Sequence, residues 1–255
     1  VNRSASPPSI ITDRLAPMTV ARIAGGSYLG FIVASVLADQ LAHLGLGELD
    51  QVYRAIVTDP WSFRLGLVIA LVSAFLFLMA AWGLFVLLRR VDANLALLFL
   101  LLNVIGVAIQ CAAMLPLLSA LLLGDGASRM DAAFQPAQVQ ELTRLWIDVF
   151  QSGFVTAQLF YGTWLFPLGY LVYRSGFLPR FLGVLLLLDG VAVLIWFSQA
   201  LLFPGHDAFS YPGLAVSFVA EVGLGLWLVI KGVKLDVGWT TAEGWTSRSS
   251  TPTDP

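Results

Sequence analysis

The chain has 255 residues, of which 58% are hydrophobic and only 12% charged, with a net charge of −2 and a mean hydropathy of +0.83. Soluble domains run at about 45–50% apolar and about 25% charged, so this composition lies far outside the soluble class. The near-neutral balance supplies no basic field for nucleic acid, which is not expected as a partner.

Residues 1–21 carry Pro7, Pro8, Pro17 and several serines and read as a disordered tail. No cleavable signal is expected, because the first apolar run starts only after this polar stretch and suits a permanent span. Val1 in place of Met hints at an alternative start codon and a bacterial source. A helix needs roughly 20 apolar residues to cross the hydrocarbon. Such runs stand at 22–44, 64–88, 94–121, 147–173, 178–203 and 212–233. They are continuously apolar rather than alternating, which predicts helices and not a barrel.

In the first run, Gly26, Gly30 and Ala34 form a smooth stripe on which a neighbouring helix can pack closely. The segment ELDQVYRAIVTDP predicts a short interfacial helix ended by the Asp59–Pro60 pair. The turns RRVDAN at 89–94 and RSGFLPR at 174–180 are short and predict antiparallel hairpins. In the second turn, Gly176 suits a left-handed helix stop and Pro179 the first turn of the next helix. The loops at 45–63 and 122–146 are longer and acidic, and Trp61, Phe63, Trp146 and Tyr211 stand where an outer aromatic belt would be. Residues 234–255 read as a second tail.

Lysines and arginines fall ten on the side of both termini and four on the other, which predicts cytoplasmic N and C termini. The fold expected is therefore all-α: one polytopic six-transmembrane-helix bundle over 22–233, in a bacterial inner membrane, with lipids as its first partners. Homo-oligomerisation is left open. The lone Cys111 lies inside the third run, cannot form an intrachain disulfide, and reads as an inert buried thiol.

The stretch YGTWLFPLGYLVYRSGFLPRFLGVLLLLDG at 161–190 resembles a family of bacterial membrane proteins, domain of unknown function 4386. The residues that carry the likeness are Tyr161–Gly162, Gly169–Tyr170–Leu171, Arg174, Ser175, Phe177–Leu178–Pro179–Arg180 and Leu182–Gly183. ARIAGGSYL at 21–29, NLALL at 94–98 and AEVGLGLWLVIKGV at 220–233 are similar to the same family. The resemblance implies a six-helix inner-membrane fold and carries no activity and no catalytic residue.

Asp189 and Glu221 fall near the middle of the last two runs, where a carboxylate costs about 2.5–3.5 kcal/mol. Each should face the bundle interior and be protonated, paired or hydrated. Gln110 and Gln158 lie at similar depth. Asn103 is two helical turns before Gln110, Gln151 two turns before Gln158, and Gln199 lies on the face of Asp189 with Trp196. The amides read first as interhelical glue. The carboxyls read first as ligand- or proton-handling groups, since amides would glue equally well without an ionisation cost.

No His/Cys cluster, zinc-protease motif, nucleophile elbow or phosphate-binding loop is present, so no catalytic residue, metal or cofactor is expected. The two histidines, His43 and His206, are read as loop residues. The leading expectation is a protein that binds or moves a small cationic, hydrophobic or amphiphilic solute with proton coupling through Asp189 and Glu221. A non-catalytic scaffold, accessory subunit or lipid-binding protein is the alternative. An intramembrane enzyme acting on a lipid or quinone, using the same two acids, is the second.

Overall fold

The computed structural model describes residues 17–45, 48–124, 134–203 and 211–233, without the side chains of 211–214. The expected tail segments before 17 and after 233, the middle of the 122–146 loop, His206 and the Tyr211 ring lie outside the described residues.

Seven helices follow in order: α1 (Pro17–Ala42), α2 (Leu49–Thr58), α3 (Pro60–Leu88), α4 (Ala93–Gly124), α5 (Pro136–Arg174), α6 (Arg180–Leu202) and α7 (Tyr211–Ile230). No strand occurs among the described residues. α1, α3, α4 and α6 are long and apolar enough to cross a membrane. α5 is the longest helix, but Gln151, Ser152, Thr156, Gln158 and Thr163 dilute its apolar character. α7 offers a shorter apolar stretch, Ala215–Ile230.

Several helices start before their apolar runs, because capping rather than hydropathy sets the first turn. Asp59 accepts hydrogen bonds from the Ser62 backbone N–H at 3.1 Å and the Ser62 hydroxyl at 2.6 Å. With Pro60 in the first turn, α3 therefore begins four residues ahead of the run at 64. Gln135 and Gln138 form a reciprocal capping box, so α5 begins at Pro136 rather than near 147. α1 begins at Pro17, inside the stretch read as a tail.

α5 ends before Gly176, whose φ of 71° is the left-handed stop expected there. Ser175 fastens the turn: its hydroxyl donates to the Val172 carbonyl and accepts from the Leu178 N–H. Pro179 serves as the N-cap of α6 rather than lying in its first turn. The Arg174 and Arg180 guanidiniums lie over the Tyr170 and Tyr173 rings, each 5.8 Å from the centroid.

The six long helices close into a ring. α1 packs on α3 and α7, α3 on α4, α4 on α5, α5 on α6, and α6 on α7. Outward faces carry exposed Val33, Val36, Val68, Phe75, Leu101, Leu188 and Ile195. That surface suits lipid tails and not water. α2 lies across one end of the ring with Val52 and Ile56 fully buried. Arg144 of α5 ties α2 down, reaching Asp50 at 3.1 Å and lying 5.5 Å from the Tyr53 ring centroid.

Glycines let helix backbones approach closely. On α5 and α6, a Cβ on Gly169 would meet the Gly183 carbonyl oxygen at 2.9 Å, and one on Gly183 would meet the Gly169 oxygen at 2.7 Å. Gly190 meets the Gly162 oxygen at 3.0 Å one step along the same seam. The glycines of the 161–190 stretch thus let two backbones touch.

On α1, the expected stripe is corrected at Gly26 alone, since Ala34 is buried and a Cβ on Gly30 would meet Leu76 at 3.3 Å. Gly26 faces open space, with nothing within 4 Å of a Cβ, while a Cβ on Gly25 would meet the Leu228 Cβ at 2.7 Å and the Gly225 oxygen at 2.8 Å. One residue turns a helix face by about 100°, and the overlapping small set Ala21, Ala24 and Gly25 is the buried one.

Candidate functional site

Closing six helices into a ring leaves a space at its centre. A cavity of about 350 Å³ is lined by Phe31 and Ser35 of α1, Ser73 and Phe77 of α3, Gln110 and Met114 of α4, Phe150, Phe154, Gln158, Tyr161 and Trp164 of α5, Val193 and Trp196 of α6, and Ser217 and Glu221 of α7. Leu44 and Gly45, in the connection from α1 to α2, complete its wall. The cavity therefore reaches toward the end that α2 covers. At that end the Gly45 N–H donates to the Asp39 carboxylate at 2.8 Å. Among the described residues, no lysine, arginine or histidine lines the cavity.

Aromatic rings from α1, α3, α5 and α6 line the wall. Phe31 stacks on Phe77 with centroids 4.2 Å apart, and Phe77 meets the edge of Trp164 at 5.2 Å. Phe77 also lies 5.5 Å from Tyr161, and Phe154 meets Trp196 edge-on at 6.2 Å. These separations are those of favourable ring pairs, so the wall is a packed sleeve.

The polar groups of the wall engage one another. The Ser35 and Ser73 hydroxyls are 2.7 Å apart, and Ser73 donates onward to the Phe31 carbonyl at 3.2 Å. The Tyr161 hydroxyl donates to Gln110 Oε1 at 2.6 Å. Ser217 donates to Asp189 Oδ1. Asp189 is fully buried, and its Oδ2 has no hydrogen-bond partner among the described residues. Glu221, one helical turn beyond Ser217, lines the cavity directly. The buried Tyr28 hydroxyl lies beside both acids, Glu221 the nearer in effect, without a hydrogen bond of good geometry.

The residues singled out in the sequence thus divide. Glu221, Gln110 and Gln158 meet in the cavity wall, and Asp189 stands one hydrogen bond behind it through Ser217. Asn103 is fully buried but lies outside the lining, with both amide atoms unpartnered among the described residues. Gln151 is half-buried and likewise outside it.

Gln199 belongs to a different place: an apolar groove of about 600 Å³ on α5 and α6, with Phe166, Val191, Leu194, Ile195, Ser198 and Phe203. The face shared by Asp189, Trp196 and Gln199 therefore splits between two spaces. The hydrogen bond of Asp189 goes to Ser217 of α7. Ser217, Tyr28, Tyr161 and the Ser35–Ser73 pair went unremarked as site residues. The signal for Ser217 was its position four residues before Glu221 on one helix face.

Comparison with known proteins gives a family and no activity. An uncharacterised protein of Archaeoglobus fulgidus is 37% identical over 89 residues, which cover 35% of this chain and 52% of that relative. The chain thus spans about half the length of that curated relative. No solved structure matches. The family model described as a domain of unknown function (DUF4386) matches residues 23–232, and the chain belongs to that family.

Proposed function

We propose that this chain is a six-span protein of the bacterial cytoplasmic membrane, with both termini inside, that binds or moves a small cationic or amphiphilic solute. Asp189 and Glu221 handle the coupled proton. α5 and α7 complete the set of spans begun by the four apolar helices, and the lysine and arginine balance orients them. The observation that carries the functional reading is a cavity lined by aromatic rings, with Glu221 as its carboxyl and no basic side chain among the described residues. Ring faces and a carboxylate attract a cation, and the apolar wall accepts its hydrocarbon body. Ser217 bridges the cavity to Asp189, which gives a proton a second acceptor within one hydrogen bond of the wall.

The scaffold reading has one specific observation in its favour. The hydroxyl and amide groups of the wall pair with one another, as glue between helices would. The experiment that separates the readings is thermal stabilisation across a panel of organic cations, lipids and quinones, comparing wild type with Glu221→Gln and Asp189→Asn. Under the proposed function, cations raise the melting temperature of wild type and lose that effect in the amide variants. Equal responses from all three proteins would leave the carboxyls as glue.

A further inference from the structure

We infer that the ligand of the central cavity is an organic cation without N–H donors, a quaternary ammonium or phosphonium ion with an apolar body. The inference rests on the cation-binding reading above and narrows its chemistry. A primary ammonium brings three donors, each of which needs an acceptor once water is excluded. Several oxygens of this wall already serve one another: Ser35 pairs with Ser73, Gln110 Oε1 accepts from Tyr161, and Ser217 donates to Asp189. Glu221 and the Gln158 amide face the space, and the rest of the wall meets a primary ammonium largely with rings and aliphatic groups, which accept its N–H donors poorly.

A quaternary ion needs none. Its charge is spread over alkyl groups that fit against ring faces, and it asks only for a counter-charge and an aromatic enclosure. Phe31, Phe77, Tyr161, Trp164, Phe154 and Trp196 supply that enclosure from four helices, and among the described residues no basic group in the lining opposes the charge. Asp189 lies behind Ser217, so a single carboxyl meets the ligand, which points to a monocation. A cavity of about 350 Å³ stands at the small end of the roughly 300–1,000 Å³ range of ligand pockets, which favours a compact ion over an extended lipid.

The test uses the full chain in lipid nanodiscs, with protein-free nanodiscs subtracted. Affinity and thermal shift are measured for benzyltrimethylammonium, for benzylammonium and for neopentylbenzene, the neutral carbon isostere of the first. Benzyltrimethylammonium is expected to bind at least tenfold more tightly than either of the others. Glu221→Gln should lower its affinity at least tenfold while leaving the helical spectrum intact. Equal or tighter binding of benzylammonium overturns the donor-free inference and leaves the broader cation reading standing. Equal binding of the neutral isostere overturns both. Binding of none of the three overturns the inference, and the broader panel then decides the proposed function alone. Because the wild-type comparison stands without the variant, a failure of Glu221→Gln to fold does not protect the inference.

Discussion

Glu221 and Ser217 share one face of α7, and Asp189 reaches them from the middle of α6 through the Ser217 hydroxyl. Since Asp189 Oδ2 already lacks a partner, removing the hydroxyl leaves the whole buried carboxyl unsatisfied. Ser217→Ala should therefore destabilise the bundle by about 1–3 kcal/mol. Asp189→Asn in the same chain should change that penalty, and unchanged additivity in melting experiments would mean the two groups do not interact. The acids were legible because a carboxylate within an apolar run is costly. Their partners were not, because a serine costs little anywhere and spacing within a helix says nothing about which other helix it faces. A titration effect belongs at the head of α3. Hydrogen bonds from the Ser62 hydroxyl and backbone hold the Asp59 carboxyl below its ordinary range. A lowered folded-state value means that this stabilisation is complete above the ordinary aspartate value and disappears as pH falls through the folded one. The melting deficit of Asp59→Ala should accordingly be largest near neutral pH and shrink in acid. A deficit that grew in acid would reverse the sign of this account.

The helices themselves were legible where apolar runs match a membrane's thickness, and their ends were not. Hydropathy reports where lipid would be, whereas Asp59–Pro60 and Gln135–Pro136 start helices in polar sequence. α5 was recognisable as a run but reaches farther out, because its extra turns pack against α2 rather than lipid. At the start of α1 the close contact falls on Gly25 rather than Gly26, and paired substitutions check it. Gly25→Ala drives a methyl into Leu228 and the Gly225 backbone, so it should cost about 1–3 kcal/mol. Gly26→Ala meets open space and should be neutral or stabilise by up to about 1 kcal/mol through helix propensity. Equal effects in thermal melts would return the face to its sequence-based position. α2 offers another comparison. Ile56 is fully buried under it, so Ile56→Ala should cost about 2–5 kcal/mol. Arg144 meets Asp50 in a partly exposed pair, and Arg144→Ala should cost nearer 0–1 kcal/mol. Hydrogen exchange over residues 49–58 would report which of the two holds α2 in place.

At the scale of the whole molecule, the order of helices around the ring was beyond the sequence. Each run reads as an independent apolar segment, and turns identify only the neighbours that short connections force together. The closure of α7 onto α1, made by Gly25 against Gly225 and Leu228, joins helices from opposite ends of the chain. That closure encloses the aromatic sleeve and sets Glu221 at its wall. The central claim is that this space is entered from the end covered by α2 and attracts cations through Glu221. The most direct measurement is labelling of Ser35→Cys, in a chain whose Cys111 is replaced by serine, with a membrane-impermeant cationic thiol reagent. Val36→Cys serves as the outward-facing control, since Val36 is exposed on the apolar surface of α1. Ser35→Cys should react from the α2 side and not from the side of the termini, and more slowly when Glu221→Gln is added, while Val36→Cys stays unlabelled. Failure of Ser35→Cys to react from the α2 side, or a rate indifferent to Glu221, would contradict the account.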